Sequence, residues 1–195
     1  MERQHLLENW LKAQFPGKIF TLQPASADAS FRRYFRIFLD SKTWIVMDAP
    51  PQQEDCKPFL QVANMLAATG VHVPKVWSYD LAQGFLLLSD LGHTTYLQIL
   101  TQEDDQANQL YSDATDALVK IQLSSQAPNL PDYDETLLRR ELNLFPDWYI
   151  AKHLQADLST KQKAMLENIF NQILQNNLAQ PKVLVHRDYH SRNLM

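Results

Sequence analysis

The chain has 195 residues, 45 % hydrophobic and 21 % charged, with 18 basic against 22 acidic residues for a net charge of −4. That balance belongs to a globular chain, and the lack of a long basic run argues against nucleic acid as a partner. Its one cysteine, Cys56, rules out an internal disulfide and a thiolate zinc cluster and suits the cytoplasm.

Charges are mixed among the apolar positions of residues 1–10, so no secretory signal is read there. The aliphatic stretch Leu86 to Leu88, with Phe85 beside it, is far too short to cross a membrane. Leu6, Leu7, Trp10, Leu11 and Phe15 recur at helical spacing before Pro16-Gly17. Residues 20–24, 34–39 and 44–47 then read as three antiparallel strands rich in aromatic and β-branched residues. A helix with Pro58 in its first turn and Phe59, Val62, Ala63 and Leu66 on its apolar face ends at Gly70. Residues 71–79 and 85–88 read as two further strands. Beyond residue 90 the period becomes helical. Leu110 to Ile121 form one stripe, Leu137 to Phe145 a second that bends at Pro146, and Met165 to Leu174 a third. Val183-Leu184-Val185 reads as a last short strand. The expected fold is therefore α+β, with a β-rich lobe over residues 1–90 and a mostly helical one over 91–195. The cleft between two such lobes is the expected ligand site.

The last strand runs into His186-Arg187-Asp188-Tyr189-His190-Ser191-Arg192-Asn193, which fits H-R-D-x-x-x-x-N, the catalytic-loop pattern of kinases. Four fixed positions match by chance in about one chain per thousand of this size. Phosphoryl transfer needs an aligned hydroxyl and a neutralised phosphate, and this spacing lets one loop supply both. Asp188 is the candidate to accept or orient the hydroxyl proton, Asn193 the candidate to offer its amide oxygen to Mg2+, and His186 the candidate brace of the loop. A hydrolytic metal reading of His186, Asp188 and His190 fails on helix propensity, since Tyr189 and Ser191 are poor helix formers, and on the missing H-E-x-x-H glutamate. A turn capped by Asp188 and Asn193 alone is the bland alternative.

With these residues the chain resembles the aminoglycoside-phosphotransferase family, whose fold is kinase-like. Within it the likeness is to the anomeric kinases of N-acetylmuramate and N-acetylglucosamine used in cell-wall recycling. The segments that carry it are residues 28–36, 46–51, 85–92, 141–150 and 186–195. The resemblance implies ATP and Mg2+ as cofactors and a small amino sugar as substrate, phosphorylated on its anomeric hydroxyl. It implies that the turn ending at Ser30 lies over the ATP phosphates, helped by Arg32 or Arg33, and that Ser89 and Leu91 pair with adenine. Glu141, Asp147, Trp148 and Arg192 become the candidate acceptor contacts, because aromatic rings cover sugar C–H faces while carboxylates take hydroxyl hydrogens.

Two departures stand out. Met47 occupies the place of the third-strand lysine, which leaves Glu54 or Asp55 without its usual partner. Kinases also carry an acidic metal ligand on the strand after the catalytic loop, beyond Met195, so residues 1–195 alone are expected to lack turnover. The rival readings are a nucleotide-binding module without catalysis, and a kinase of another small alcohol such as an aminoglycoside, choline or homoserine.

Overall fold

A computed structural model describes residues 2–27, 31–101, 104–124 and 130–195. They form two compact units, residues 1–121 with 186–195, and residues 122–185. In the first unit, strands β1 (Thr21–Ala27), β2 (Arg33–Leu39), β3 (Lys42–Asp48), β4 (Val76–Asp80) and β5 (Phe85–Ser89) form one antiparallel sheet in the order β1-β2-β3-β5-β4. Helix α1 (Glu2–Gln14) precedes it and α2 (Lys57–Ala68) connects β3 to β4.

Alternation along the strands decides which helix covers which face. Successive strand side chains point to opposite faces. Val46, Phe85 and Leu87 pack with Ile37 against Leu7 and Leu11 of α1, which sit one helical turn apart. Met47, Leu86 and Leu88 pack with Cys56 and Phe59 on the α2 side. Phe85 through Leu88 are all buried because β5 is central and covered on both faces. β1 and β4 are the edges, where a proline's missing N–H leaves no gap in a ladder; Pro24 lies in β1, beside a bulge at residue 25. The residues expected in strand at 71–75 lie outside β4, which begins at Val76. Pro74 there has no N–H to give a ladder.

Beyond the sheet come α3 (Tyr96–Leu100), a short turn of 3-10 helix, and α4 (Ala107–Leu123). α3 opens with a capping box. Thr95 accepts from the Gln98 amide, and the Gln98 side chain accepts from the Thr95 amide.

The second unit contains α5 (Glu135–Leu144) and α6 (Thr160–Leu178), joined through nine residues of π-helix, Phe145–His153. The bend expected at Pro146 takes this form because proline cannot donate to the preceding turn, and the ladder re-forms with a longer step. The Leu154 amide accordingly donates to the Tyr149 carbonyl at 2.9 Å. Arg139 of α5 ties to Glu167 and Asn171 of α6. Val183-Leu184-Val185 is not a strand. Among the described residues no neighbouring segment supplies a ladder for it.

Candidate functional site

The loop 186–195 folds back onto the first unit. The Tyr96 amide donates to the Leu194 carbonyl at 2.9 Å, and the Leu97 amide to the Ser191 carbonyl at 3.0 Å. These are N–H groups in the first turn of α3, which have no partner inside the helix. The Tyr189 hydroxyl donates to the Ala114 carbonyl of α4 at 2.6 Å. Burial of this phenol pushes its pKa up. Arg187 holds a left-handed φ of 70°. A non-glycine residue there costs about 1–3 kcal/mol, which the anchors around it must offset.

Within that frame three side chains meet. Asn193 Nδ2 donates to Asp188 Oδ2 at 2.7 Å and to the Asp188 carbonyl at 3.0 Å. His190 Nε2 lies 3.0 Å from Asp188 Oδ1. The Asp188 side chain is 70 % exposed, so it is held from within the loop yet open to a ligand. Because the Asn193 nitrogen is committed to Asp188, its amide oxygen is left to face a cation. His186 accepts the Asp188 amide through Nδ1 at 3.3 Å, and its ring meets Tyr189 edge-on. It touches the backbone of the loop, not the carboxylate. Arg192 is exposed, and its amide donates to His190 Nδ1 at 3.3 Å.

Magnesium prefers oxygen donors and usually takes one or two protein carboxylates besides waters and substrate phosphates. Asn193 Oδ1 and the Asp188 carboxylate fit part of such a set. Among the described residues no cluster of three His, Cys, Asp or Glu side chains makes an all-protein cage.

On the sheet, Met47 is fully buried in the α2-side core. Glu54, which lacks the usual lysine, has a cationic partner of another kind. Arg32 Nε lies 3.3 Å from its Oε2, and the Phe31 amide also donates to this carboxylate, at 3.3 Å. A guanidinium from the residue just before β2 thus stands opposite the carboxylate. Burial works against the charge on Arg32, but Tyr34 and Glu54 outweigh it and raise its pKa. Arg33 is bound elsewhere. Its guanidinium and that of Arg3 grip the two oxygens of Asp48, a fully buried carboxylate at the end of β3. Arg33 is thereby part of a structural ion cluster, which its adjacency to Arg32 concealed in the sequence. Ser30 lies outside the described residues.

The segment after β5 is equally specific. The Ser89 amide donates to the Lys75 carbonyl at 2.8 Å, and its hydroxyl accepts the Lys75 amide at 2.8 Å. Ser89 therefore has no N–H to spare for adenine, while no hydrogen bond among the described residues engages the backbone of Leu91. Arg36 of β2 reaches across to Asp90 with two bonds of 2.6 and 3.1 Å and also bonds the Gly92 carbonyl, which fixes this crossing.

In the second unit Glu141 is half-buried and accepts the Tyr133 hydroxyl. Asp147 and Trp148 are exposed on the π-helix, and Phe145, Tyr149 and His153 form a stacked series with ring centroids 5.5 Å apart. The aromatics of this stretch are 47–64 % exposed, so they are not core within the chain. Sequence reasoning passed over His190 as a partner of Asp188, the Asp48 cluster and α3. Only α3 had a readable signal, Thr95-x-x-Gln98.

A five-stranded antiparallel sheet with a crossing helix, followed by helices and an H-R-D-x-x-x-x-N loop, is the kinase-like α+β fold. The chain belongs to the phosphotransferase enzyme family, whose sequence profile matches residues 21–195. It is 53 % identical over 174 residues to the N-acetylmuramate/N-acetylglucosamine kinase of Pseudomonas aeruginosa, covering 89 % of this chain and 51 % of that protein. The kinase of the same description from Neisseria meningitidis is 42 % identical over 198 residues, covering 100 % of this chain and 59 % of that protein. The chain thus spans between half and three-fifths of the length of these relatives. Among solved structures it is similar in fold to a choline/ethanolamine kinase family protein of Mesorhizobium loti, with a TM-score of 0.60 at 13 % identity over 95 % of this chain and 58 % of that one. It is likewise similar to APH(2″)-IIa in its ternary complex with streptomycin and ATP, with a TM-score of 0.52 at 14 % identity over 95 % of this chain and 65 % of that one.

Proposed function

We propose that this chain carries the nucleotide-binding and catalytic-loop part of an ATP-dependent kinase of small amino sugars, acting on the anomeric hydroxyl. The observation that carries this reading is the exposed Asp188 carboxylate bonded at 2.7 Å to the amide nitrogen of Asn193. Asp188 accepts the proton of the attacking hydroxyl, or orients that hydroxyl in line with the phosphorus, while two hydrogen bonds keep its carboxylate from rotating away. Asn193 would hold magnesium through Oδ1, and the ion would supply charge neutralisation at the transferred phosphoryl group. The Leu91 backbone pairs with adenine, and Arg32, held by Glu54, faces the phosphates. The exposed rings of Trp148 and Tyr149 suit the C–H face of a pyranose, with Asp147 beside them as a polar contact. The names of the relatives support an amino sugar as acceptor, and the use of ATP suits a cytoplasmic setting.

The acceptor is tested by incubating the protein that carries this chain with ATP and N-acetylmuramate, N-acetylglucosamine, an aminoglycoside or choline. Phosphorylation of the first two is expected, with none of their methyl glycosides, whose anomeric oxygen is blocked. Equal rates on free sugar and methyl glycoside would remove the anomeric assignment. Residues 1–195 expressed alone are expected not to turn over, because a single amide oxygen and one carboxylate that already accepts two hydrogen bonds hold magnesium loosely.

A further inference from the structure

We infer that His190 is the positioning residue of the catalytic loop, holding the Asp188 carboxylate through an Nε2–H donor whose tautomer is set by the backbone of Arg192. The inference rests on the kinase reading of Asp188 for its consequence in catalysis, but its geometry stands apart from that reading.

A neutral imidazole has one N–H and one bare nitrogen, and the partner of one nitrogen decides the state of the other. Here the Arg192 amide donates to His190 Nδ1 at 3.3 Å. An amide N–H can only donate, so Nδ1 must be bare and the ring proton must sit on Nε2. That nitrogen lies 3.0 Å from Asp188 Oδ1, within hydrogen-bond reach. Asn193 Nδ2 takes the other oxygen, Oδ2, at 2.7 Å. The two oxygens are thus held by two different donors from the same loop, and the plane of the carboxylate is fixed. A carboxylate offers about four lone-pair sites, so two remain to receive a substrate proton.

The chain also supports the ring's own position. The Asn193 amide donates to the His190 carbonyl at 2.9 Å, and the Ser191 carbonyl accepts from Leu97 at the start of α3. Residues 188, 190 and 193 therefore form one turn docked on a helix end, with His190 as the side chain that links its two halves. His186, by contrast, bonds the Asp188 amide and leaves the carboxylate alone. The two histidines of the motif divide the work: His186 braces backbone, His190 aims the reacting group.

The ring is read directly by long-range proton–nitrogen correlation spectra of the chain with labelled histidine. His190 is expected as the Nε2–H tautomer, with Nδ1 at the shift of a bare nitrogen, and to keep that tautomer in Asp188→Ala, because the Arg192 amide still donates to Nδ1. An Nδ1–H tautomer, or a mixture already present in the parent chain, overturns the proposal. In the protein that carries this chain, His190→Leu is expected to lower kcat by about tenfold to a hundredfold, less than the roughly 10²–10⁴-fold that an acid–base group itself contributes, while KM for ATP and sugar stays within about twofold. His190→Gln, which retains an N–H donor, is expected to recover most of the loss. Equal losses in Leu and Gln variants, or a loss confined to KM, also overturn it. If the parent protein phosphorylates no sugar at all, the kinase reading fails while the ring spectrum still decides the placement of His190.

Discussion

Both oxygens of Asp188 accept hydrogen bonds inside the loop, from His190 and from Asn193, so Asp188→Asn removes the proton acceptor and also sets an amide N–H against one of these donors. Asp188→Asn is expected to lower turnover by about 10²–10⁴-fold with ATP affinity nearly unchanged. Steady-state kinetics beside a nucleotide-binding isotherm measures both, and undiminished turnover would take Asp188 out of the mechanism. A second carboxylate, Asp90, is structural and should betray itself through pH. Burial alone would raise its pKa, but the Arg36 guanidinium, with the Gly92 amide and the Thr43 hydroxyl, holds it below the usual carboxylate range. A depressed folded pKa gives stability that is fully present above the unfolded value, about 3.9, and lost as pH falls through the folded one. Asp90→Asn is therefore expected to cost about 1–3 kcal/mol at pH 7, with the gap to the parent closing only below about pH 4. Urea melts at pH 7, 5 and 3 give the answer; a gap of equal size at all three would mean that the charge on Asp90 contributes nothing.

At the scale of elements, the turn between β4 and β5 shows how one residue can hold two strands and a neighbouring segment. Gly84 has a φ of +72°, donates to the Asp80 carbonyl at 2.7 Å and accepts the Ala49 amide at 2.8 Å. A Cβ placed on it would lie 1.9 Å from the Ala49 carbonyl oxygen, which is backbone and cannot move aside. Gly84→Ala should lose more than the roughly 1–2 kcal/mol of left-handed strain, and thermal melting should show it. A melting temperature within a degree of the parent would contradict the packing of this turn. Features of this kind explain what was legible beforehand. The five strands were readable because Phe85 to Leu88 and the residues about Val46 are apolar on both faces, and the loop because its residues are contiguous. The ion clusters were not, because Arg3 and Asp48 are 45 residues apart and meet only once α1 lies on the sheet. The missing β3 lysine was visible as Met47, but the Arg32–Glu54 pair was not, because it depends on where the chain before α2 turns. The expected strand at residues 183–185 failed for a similar reason, since a ladder needs a neighbour that no single segment declares.

Across the whole molecule, the helical part leaves more apolar surface exposed than the sheet does. α6 buries Phe170 and Leu174, while Met165, Ile169 and Ile173, spaced four apart, are 59, 45 and 38 % exposed and form one stripe along the helix. Side chains at this spacing lie one above the other on a single helix face. Scattered exposed apolar residues are ordinary, but a contiguous stripe marks a surface that prefers cover. Residues 1–195 in dilute buffer are therefore expected to self-associate, with a weight-average mass that rises with concentration above the 22.6 kDa of one chain. Replacing Met165, Ile169 and Ile173 together by Gln removes the apolar area yet keeps good helix propensity, since Gln is close to Met on that scale. The triple variant should stay monomeric over the same range, with unchanged helical circular dichroism. Sedimentation velocity at several loadings separates the outcomes. A parent chain that remains monomeric throughout shows that the stripe is tolerated in water, and association that survives the triple substitution places the contact on another face.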